Sequence, residues 1–329
     1  MALSRTNAIS PADAINSRPI RLLRAFMIVR PNQNWFTLLF VWNGSVLQSI
    51  IPQLVFMLII SSLAVLTQGK IFGEKIPLNT TPFTLLGIAL AIFLAFRNNE
   101  SYARFNEARH LWGNILIASR NLASQTLSYF PTQMDHVRFC NLIVAVPYAL
   151  KHQLRRTDSV HDLHRLLDDC EKTTLQMKAY VPAALLSAMR ERLAQLEDRD
   201  GSTMTRLIIL DNQISELEKS VGGCERIAST PIPFAYSVLL HRTVYAYCVL
   251  LPFGLVDSTE FFTPLLCVFI SYTLIALEAI ASEVANPFSE APNALALDSM
   301  SRNIERSVFE IYGRPIPDEL RPRRPYQFT

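Results

Sequence analysis

The sequence predicts an all-α membrane protein, with four transmembrane helices plus a large cytoplasmic helical domain. Three observations carry that expectation. Long charge-free apolar runs lie at both ends of the chain. Between them, residues 97–228 are dense in charge and rich in Leu, Ala, Glu, Gln and Arg, with few glycines and no strand-like alternation. Over the whole 329 residues, half are hydrophobic and only 18% are charged, against about a quarter in soluble domains. The mean hydropathy of +0.21 agrees with a chain that is partly membrane and partly soluble.

In chain order, the start carries Arg5, Arg18, Arg21, Arg24 and Arg30 and no signal-peptide cleavage pattern, so it is expected to begin in the cytoplasm. From Pro31 to Gly69 there is no charged residue. Its first part, residues 35–42, holds Trp35 and Trp42 and reads as an interfacial piece. Residues 46–68 read as the first spanning helix, with Pro52 tolerable inside a bundle. A short connection leads to the second span, residues 82–96, inside a charge-free stretch that ends at Arg97. The soluble region is read as several long helices breaking near Pro131, Asp158, Pro182 and Asp200-Gly201. Gly222-Gly223 and Pro231-Ile232-Pro233 are expected to stop the last of them. Residues 234–256 and 261–281 then form the third and fourth spans, the third interrupted by His241 and Arg242, the fourth carrying Glu278. The tail after Asn286-Pro287-Phe288 is read as an extended arm with one short helix near 299–312. The expected divisions are 1–30, 31–96, 97–230, 231–283 and 284–329. The Arg and Lys residues near the span ends put both termini and the helical domain on the cytoplasmic side.

Among candidate functional residues, Ile88, Ile92 and Phe96 stand out, because i, i+4, i+8 spacing places them on one helix face just before a charged block. Several copies of that face around an axis make a narrow apolar constriction. The opposite face (Leu86, Leu90, Leu94) is equally apolar, so periodicity does not choose between a pore face and lipid-facing filler. Gly87, Ala89, Ala91 and Ala95 permit close helix approach. In the block that follows, Arg97 with Glu100 and Arg104 with Glu107 are spaced to pair along the helix. Glu225 and Arg226 sit beside the proline break and read as a local ion pair.

Other chemistries are disfavoured. Net charge of +3 argues against nucleic acid as a partner. The five cysteines form no CxxC and no pairing pattern. His152, His161 and His164 with Asp158, Asp162, Asp168 and Asp169 match no zinc spacing and read as a solvated helix face. Glu225 and His241 lack a nucleophile at recognisable spacing, so no enzyme and no cofactor or metal is expected.

The runs Phe96-Arg-Asn-Asn, Tyr102-Ala-Arg-Phe-Asn-Glu-Ala-Arg109-His-Leu-Trp-Gly113, Gly223-Cys-Glu-Arg-Ile, Thr230-Pro-Ile-Pro-Phe-Ala-Tyr236, His241-Arg-Thr-Val-Tyr245 and Asn286-Pro-Phe288 resemble the bestrophin family in its bacterial branch. The resemblance runs from about Met27 to the C-terminus. It implies a symmetric homopentamer around a central pore, in a bacterial inner (plasma) membrane, with lipids and permeant inorganic ions as partners. It also implies that Ile88, Ile92 and Phe96 form a hydrophobic neck. The family's lower constriction, commonly an isoleucine ring, falls on Thr205 by ungapped counting from Gly223, or on Ile208 after a one-turn shift. Animal members bind calcium through an acidic cluster just after Asn-Pro-Phe, but here the segment up to Asp298 holds only Glu290 and Asp298, and calcium takes about six or more oxygens. Calcium-independent conduction is therefore expected. The resemblance favours a monovalent cation such as sodium. A chloride channel of the same fold and a non-conducting sensor or scaffold are the alternatives. Asp211, Asn212, Glu216 and Glu218 bias a vestibule toward cations if they face inward.

Overall fold

The computed structural model describes residues 35–36, 45–71, 74–75, 80–176, 178–196 and 201–320. The expected N-terminal segment, most of the interfacial piece and the end of the C-terminal arm lie outside these residues.

Helix α1 (Leu47–Leu66) holds Pro52 within its first turns without breaking. A two-residue hairpin follows, β1 (Lys70–Ile71) against β2 (Glu74–Lys75), antiparallel with Lys70 opposite Lys75. These short strands are the one departure from an all-helical chain among the described residues. Gly69 enters the hairpin at φ 71°, where a Cβ would also lie 3.0 Å from the Val256 side chain.

Helix α2 (Thr80–Tyr129) has 50 residues and is one uninterrupted rod, about 75 Å long at the usual α-helical rise. The second span was expected to end at Phe96, and one helix runs through that position to Tyr129. No proline or glycine pair interrupts residues 88–112, so backbone hydrogen bonding continues while only the side chains change from apolar to polar. The rod joins two cores. Leu90 and Leu94 belong to an apolar cluster with Met57, Val244, Leu251 and Ile275. From Phe105 onward it enters a larger cluster with Trp112, Phe139, Leu185, Leu217 and Val308.

The larger core is built by α3 (His136–Arg155), α4 (Val160–His164), α5 (Asp169–Gln176), α6 (Val181–Ala194) and α7 (Thr203–Ser229). Asp135 caps α3 by accepting from the Arg138 amide at 3.1 Å. Arg156 closes the same helix in the left-handed region at φ 55°. Helix α7 does not stop at Gly222-Gly223 as expected but continues to Ser229. A Cβ on Gly223 would meet the Leu111 methyls at 2.8 and 2.9 Å. The glycine is there so that α2 and α7 can touch, not to end a helix.

Helix α8 (Phe234–Thr259) and helix α9 (Thr263–Val284) are separated by a 3-10 turn at Glu260–Phe262, where Glu260 has φ 41°. The chain reverses there, so that His241 near the start of α8 approaches Glu278 near the end of α9. Three described stretches are long and apolar enough to cross a membrane: Leu47–Leu66, Thr81–Tyr129 and Phe234–Val284, the last being this hairpin.

Helix α10 (Leu297–Ile311) was expected as a short helix in an extended arm. It is a core element: Leu297, Ile304 and Val308 are buried, and Glu305 is fully buried beneath them. Glu305 accepts from the Tyr148 hydroxyl at 2.7 Å and from Arg302 at 2.8 Å, and also binds Arg165. A buried carboxylate needs this many donors to offset its lost hydration.

Candidate conduction face

Packing within one subunit shows which side of α2 faces the subunit's own core. Leu90 and Leu94 are 1% and 2% exposed, whereas Ile88, Ile92 and Phe96 are 55%, 49% and 59% exposed. At about 100° per residue, the exposed stripe points about 170° away from the buried set Leu90, Leu94, Arg97 and Ser101. The subunit's own apolar core therefore claims one side of the helix and leaves the neck candidates outward. Leu86, grouped by sequence with Leu90 and Leu94, is partly exposed.

Two contacts hold the back of this segment. Above the stripe, Gly87 lies so close to Tyr247 of α8 that a Cβ would come within 2.8 Å of its hydroxyl oxygen. Below it, Arg97 Nη1 donates to Glu278 Oε1 of α9 at 2.9 Å, both groups well buried. Ring contact between Phe83 and Tyr247, with centroids 6.1 Å apart, braces the upper one.

Neither expected local pair of this block closes to a direct ion pair, and Arg104 feels Glu107 only as a nearby charge. Arg97 binds Glu278 and not Glu100. Arg104 donates to the carbonyls of Ala285 (2.9 Å), Thr230 (2.6 Å) and Ile227, and Glu107 binds Arg226 of α7. The reason is tertiary. The ends of α7 and α9 present unpaired carbonyls beside α2, and an arginine there satisfies several acceptors at once. Glu225 likewise leaves Arg226 and accepts from Gln153 at 2.5 Å. A lone acid in a spanning segment needs a partner; that was the available signal for the Arg97–Glu278 pair, which the sequence reading missed.

Helix α7 runs antiparallel to α2. The register is fixed by Glu107–Arg226, by Leu111 against Gly223, by Asn121 donating to Gln213 at 3.3 Å, and by Arg206 donating to the Tyr129 carbonyl at 3.2 Å. Thr205 therefore lies level with the far end of α2, about 55 Å along the rod from Ile92 at 1.5 Å per residue. Thr205, Ile208, Asn212 and Glu216 share an exposed stripe, turned about 165° from the buried stripe Leu210, Ile214, Leu217 and Val221.

The acidic vestibule candidates divide. Asp211 and Glu218 turn aside to Arg190 of α6, each at 2.8 Å. Glu216 stays on the stripe but pairs with Lys219 at 2.7 Å. Asn212 carries no charge. The set expected to attract cations is thus largely compensated.

The residues read as a solvated His/Asp face are partly drawn into a charge network. Asp162 accepts from Lys151 at 2.7 Å and His152 at 2.9 Å, and Asp298 accepts from Lys151 and Arg155, both at 2.8 Å. Burial alone pushes the Asp162 and Asp298 carboxyls up, but the hydrogen bonds and charges of these bases hold both below the usual carboxylate range. Asp298 thus already has both oxygens bound to cationic side chains. Among the described residues, no group of three or more His, Cys, Asp or Glu is arranged to hold a metal ion. Burial pushes the Cys224 thiol up to about 12, with Glu225 and Glu107 adding to it, which makes it a poor nucleophile. Glu225 and His241 have separate partners and form no catalytic pair.

Fold and face together define a helical membrane protein in which one long helix carries an unpartnered stripe from an apolar span into a polar domain. The family model for the bacterial/fungal bestrophin protein matches residues 27–310, and the chain belongs to that family. A voltage-dependent anion channel-forming protein of Ralstonia nicotianae is 44% identical over 294 residues, covering 88% of this chain and 95% of the relative. Another of that name from Salmonella typhi is 41% identical over 308 residues, covering 92% and 100%. The crystal structure of a bacterial bestrophin homolog from Klebsiella pneumoniae, 40% identical, superposes with a TM-score of 0.77 over 81% of this chain and 99% of its own.

Proposed function

We propose that this chain assembles as a homopentamer whose five α2 helices surround an ion-conducting pore in a bacterial inner membrane, the helical domain and both termini being cytoplasmic. The observation that carries the proposal is the exposure of Ile88, Ile92 and Phe96 on the side of α2 that the subunit's own core leaves free. Three apolar rings in series thin the hydration of a passing ion, and a small narrowing dewets and closes them. A second constriction forms about 55 Å further on, at Thr205 or one turn away at Ile208.

For the permeant ion, the proposal takes the anion reading in place of the cation preference drawn from the sequence. Relatives covering most of this chain are named as anion channel-forming proteins. The acids invoked for cations are engaged by Arg190 and Lys219. Bi-ionic reversal potentials of the reconstituted protein test this, with chloride expected to carry the current. A reversal potential that follows the sodium gradient would restore the cation reading. Chemical crosslinking is expected to give a ladder ending at five, and a ladder ending at two would support a sensor or scaffold.

A further inference from the structure

Arg97 follows the last neck residue, yet it points to the opposite side of α2 and is 4% exposed. Its Nη1 donates to Glu278, while its Nε is buried with no hydrogen-bond partner. Compensation of this buried charge therefore rests on one carboxylate. Glu278 lies on α9, the second arm of the α8–α9 hairpin, so the pair joins the neck helix to an element that contributes nothing to the stripe. His241 of α8 brings its Nδ1 within 3.7 Å of the same carboxylate, and its ring lies tilted against that of Tyr245, with centroids 4.4 Å apart. Ten residues earlier, Gly87 against Tyr247 is the other close backing contact. The stripe Ile88–Phe96 is thus bracketed, on its hidden side, by a steric contact above and an ionic contact below.

We propose that the Arg97–Glu278 ion pair is a positioning element of the neck. It sets the rotation of α2 against the α8–α9 hairpin, and with it how far Ile92 and Phe96 project. Arg97 and Glu278 touch no permeant ion; they act through the neighbouring stripe. The inference rests on the proposed neck. The packing alone resists translation of α2, because Leu90 and Leu94 are embedded in the apolar cluster. Arg104, which donates to the Ala285 carbonyl at the end of α9, lies seven residues further along the rod, so Arg97–Glu278 is the directional contact nearest the stripe. A charge-assisted hydrogen bond is directional and sits at the rim of that cluster, where it has the leverage the leucines lack.

The experiment uses the full-length protein reconstituted in lipid vesicles, with Cys170→Ser removing the exposed thiol. The thiol introduced by Ile92→Cys reports neck accessibility through its rate of modification by a small charged methanethiosulfonate. Glu278→Gln keeps shape and removes charge, so the rate is expected to rise roughly tenfold, the population shift that losing one charged hydrogen bond allows. Glu278→Asp, which retains the charge, is expected to keep the parent rate within about twofold. In parallel, unitary recordings without the reporter are expected to show a higher open probability for Glu278→Gln. Equal modification rates for the Gln variant and its parent would overturn the proposal, as would an Asp variant that departs as far as the Gln variant. Should Glu278→Gln fail to assemble, the double variant Arg97→Gln/Glu278→Gln leaves no unpaired buried charge, and the same rise is expected of it; an unchanged rate there also overturns the idea. A parent protein that passes no current sinks the channel reading, while the modification rates still judge the pair.

Discussion

Replacing Gly87 by alanine places a methyl carbon 2.8 Å from the Tyr247 hydroxyl oxygen and 3.4 Å from its Cζ. Either the tyrosine or the neck helix must give way. Tyr247 is held inside the membrane cluster with its ring against Phe83, so it has little room to swing. Overpacking of this kind costs about 1–3 kcal/mol. At the roughly 2–4 °C per kcal/mol typical of domains of 150–250 residues, the melting temperature of the detergent-solubilised assembly is expected to fall by about 2–12 °C. The clash is with one oxygen atom, which makes the reasoning checkable. Tyr247→Phe removes that oxygen and leaves the ring carbon at an ordinary, if tight, separation. In the Tyr247→Phe background the alanine is therefore expected to cost less than about 1 kcal/mol, giving a coupling of about 1–2 kcal/mol in a double-mutant cycle. Open probability is expected to change in Gly87→Ala and to return toward that of the parent in the double variant. Full additivity of the two substitutions would refute the assigned contact.

Three further expectations concern the neck and the charge network of the helical domain. Ile92→Ala widens the proposed neck and is expected to raise single-channel open probability; unchanged single-channel behaviour would count against a gating role. Asp298→Asn strips Lys151 and Arg155 of a shared carboxylate that retains some solvent exposure, and a loss of about 2–3 kcal/mol is expected in chemical unfolding. Acid should act on the same network. Asp162 and Asp298 have folded-state values below the unfolded value of about 3.9, so their contribution is fully present above that value and is lost as the pH falls through the folded ones. Melting temperature is accordingly expected to hold down to about pH 5 and to drop below about pH 4, less steeply in Asp298→Asn.

The spans illustrate what is legible in a sequence. Residues 46–68, 234–256 and 261–281 were placed within a few residues of the helices α1, α8 and α9, because a run of apolar side chains has one common solution in lipid. Breaks near Pro131, Asp158, Pro182 and Gly201 also fell between helices, since proline, glycine and aspartate act on the backbone locally. Gly223 shows the limit. A glycine reads as a stop whether it ends a helix or admits Leu111, and only the neighbouring helix distinguishes the two. The same holds for Arg97 and Arg104, where helical spacing offered nearby acids and the fold supplied better acceptors 123 to 181 residues away. Helix α10 was underrated because its one buried acid, Glu305, looks solvent-exposed until Tyr148, Arg165 and Arg302 surround it.

Composition and periodicity by themselves determined the helical membrane class, the apolar stretches and the existence of a stripe at Ile88, Ile92 and Phe96. They act through each residue's own chemistry and the 3.6-residue repeat, which need no knowledge of neighbours. Tertiary structure alone decided which side of α2 is buried, that the rod is continuous into the polar domain, and which acids remain free to meet an ion. Those outcomes depend on which surfaces compete for the same contact, and Leu90, Glu278 and Arg190 win theirs only once distant helices are packed beside them.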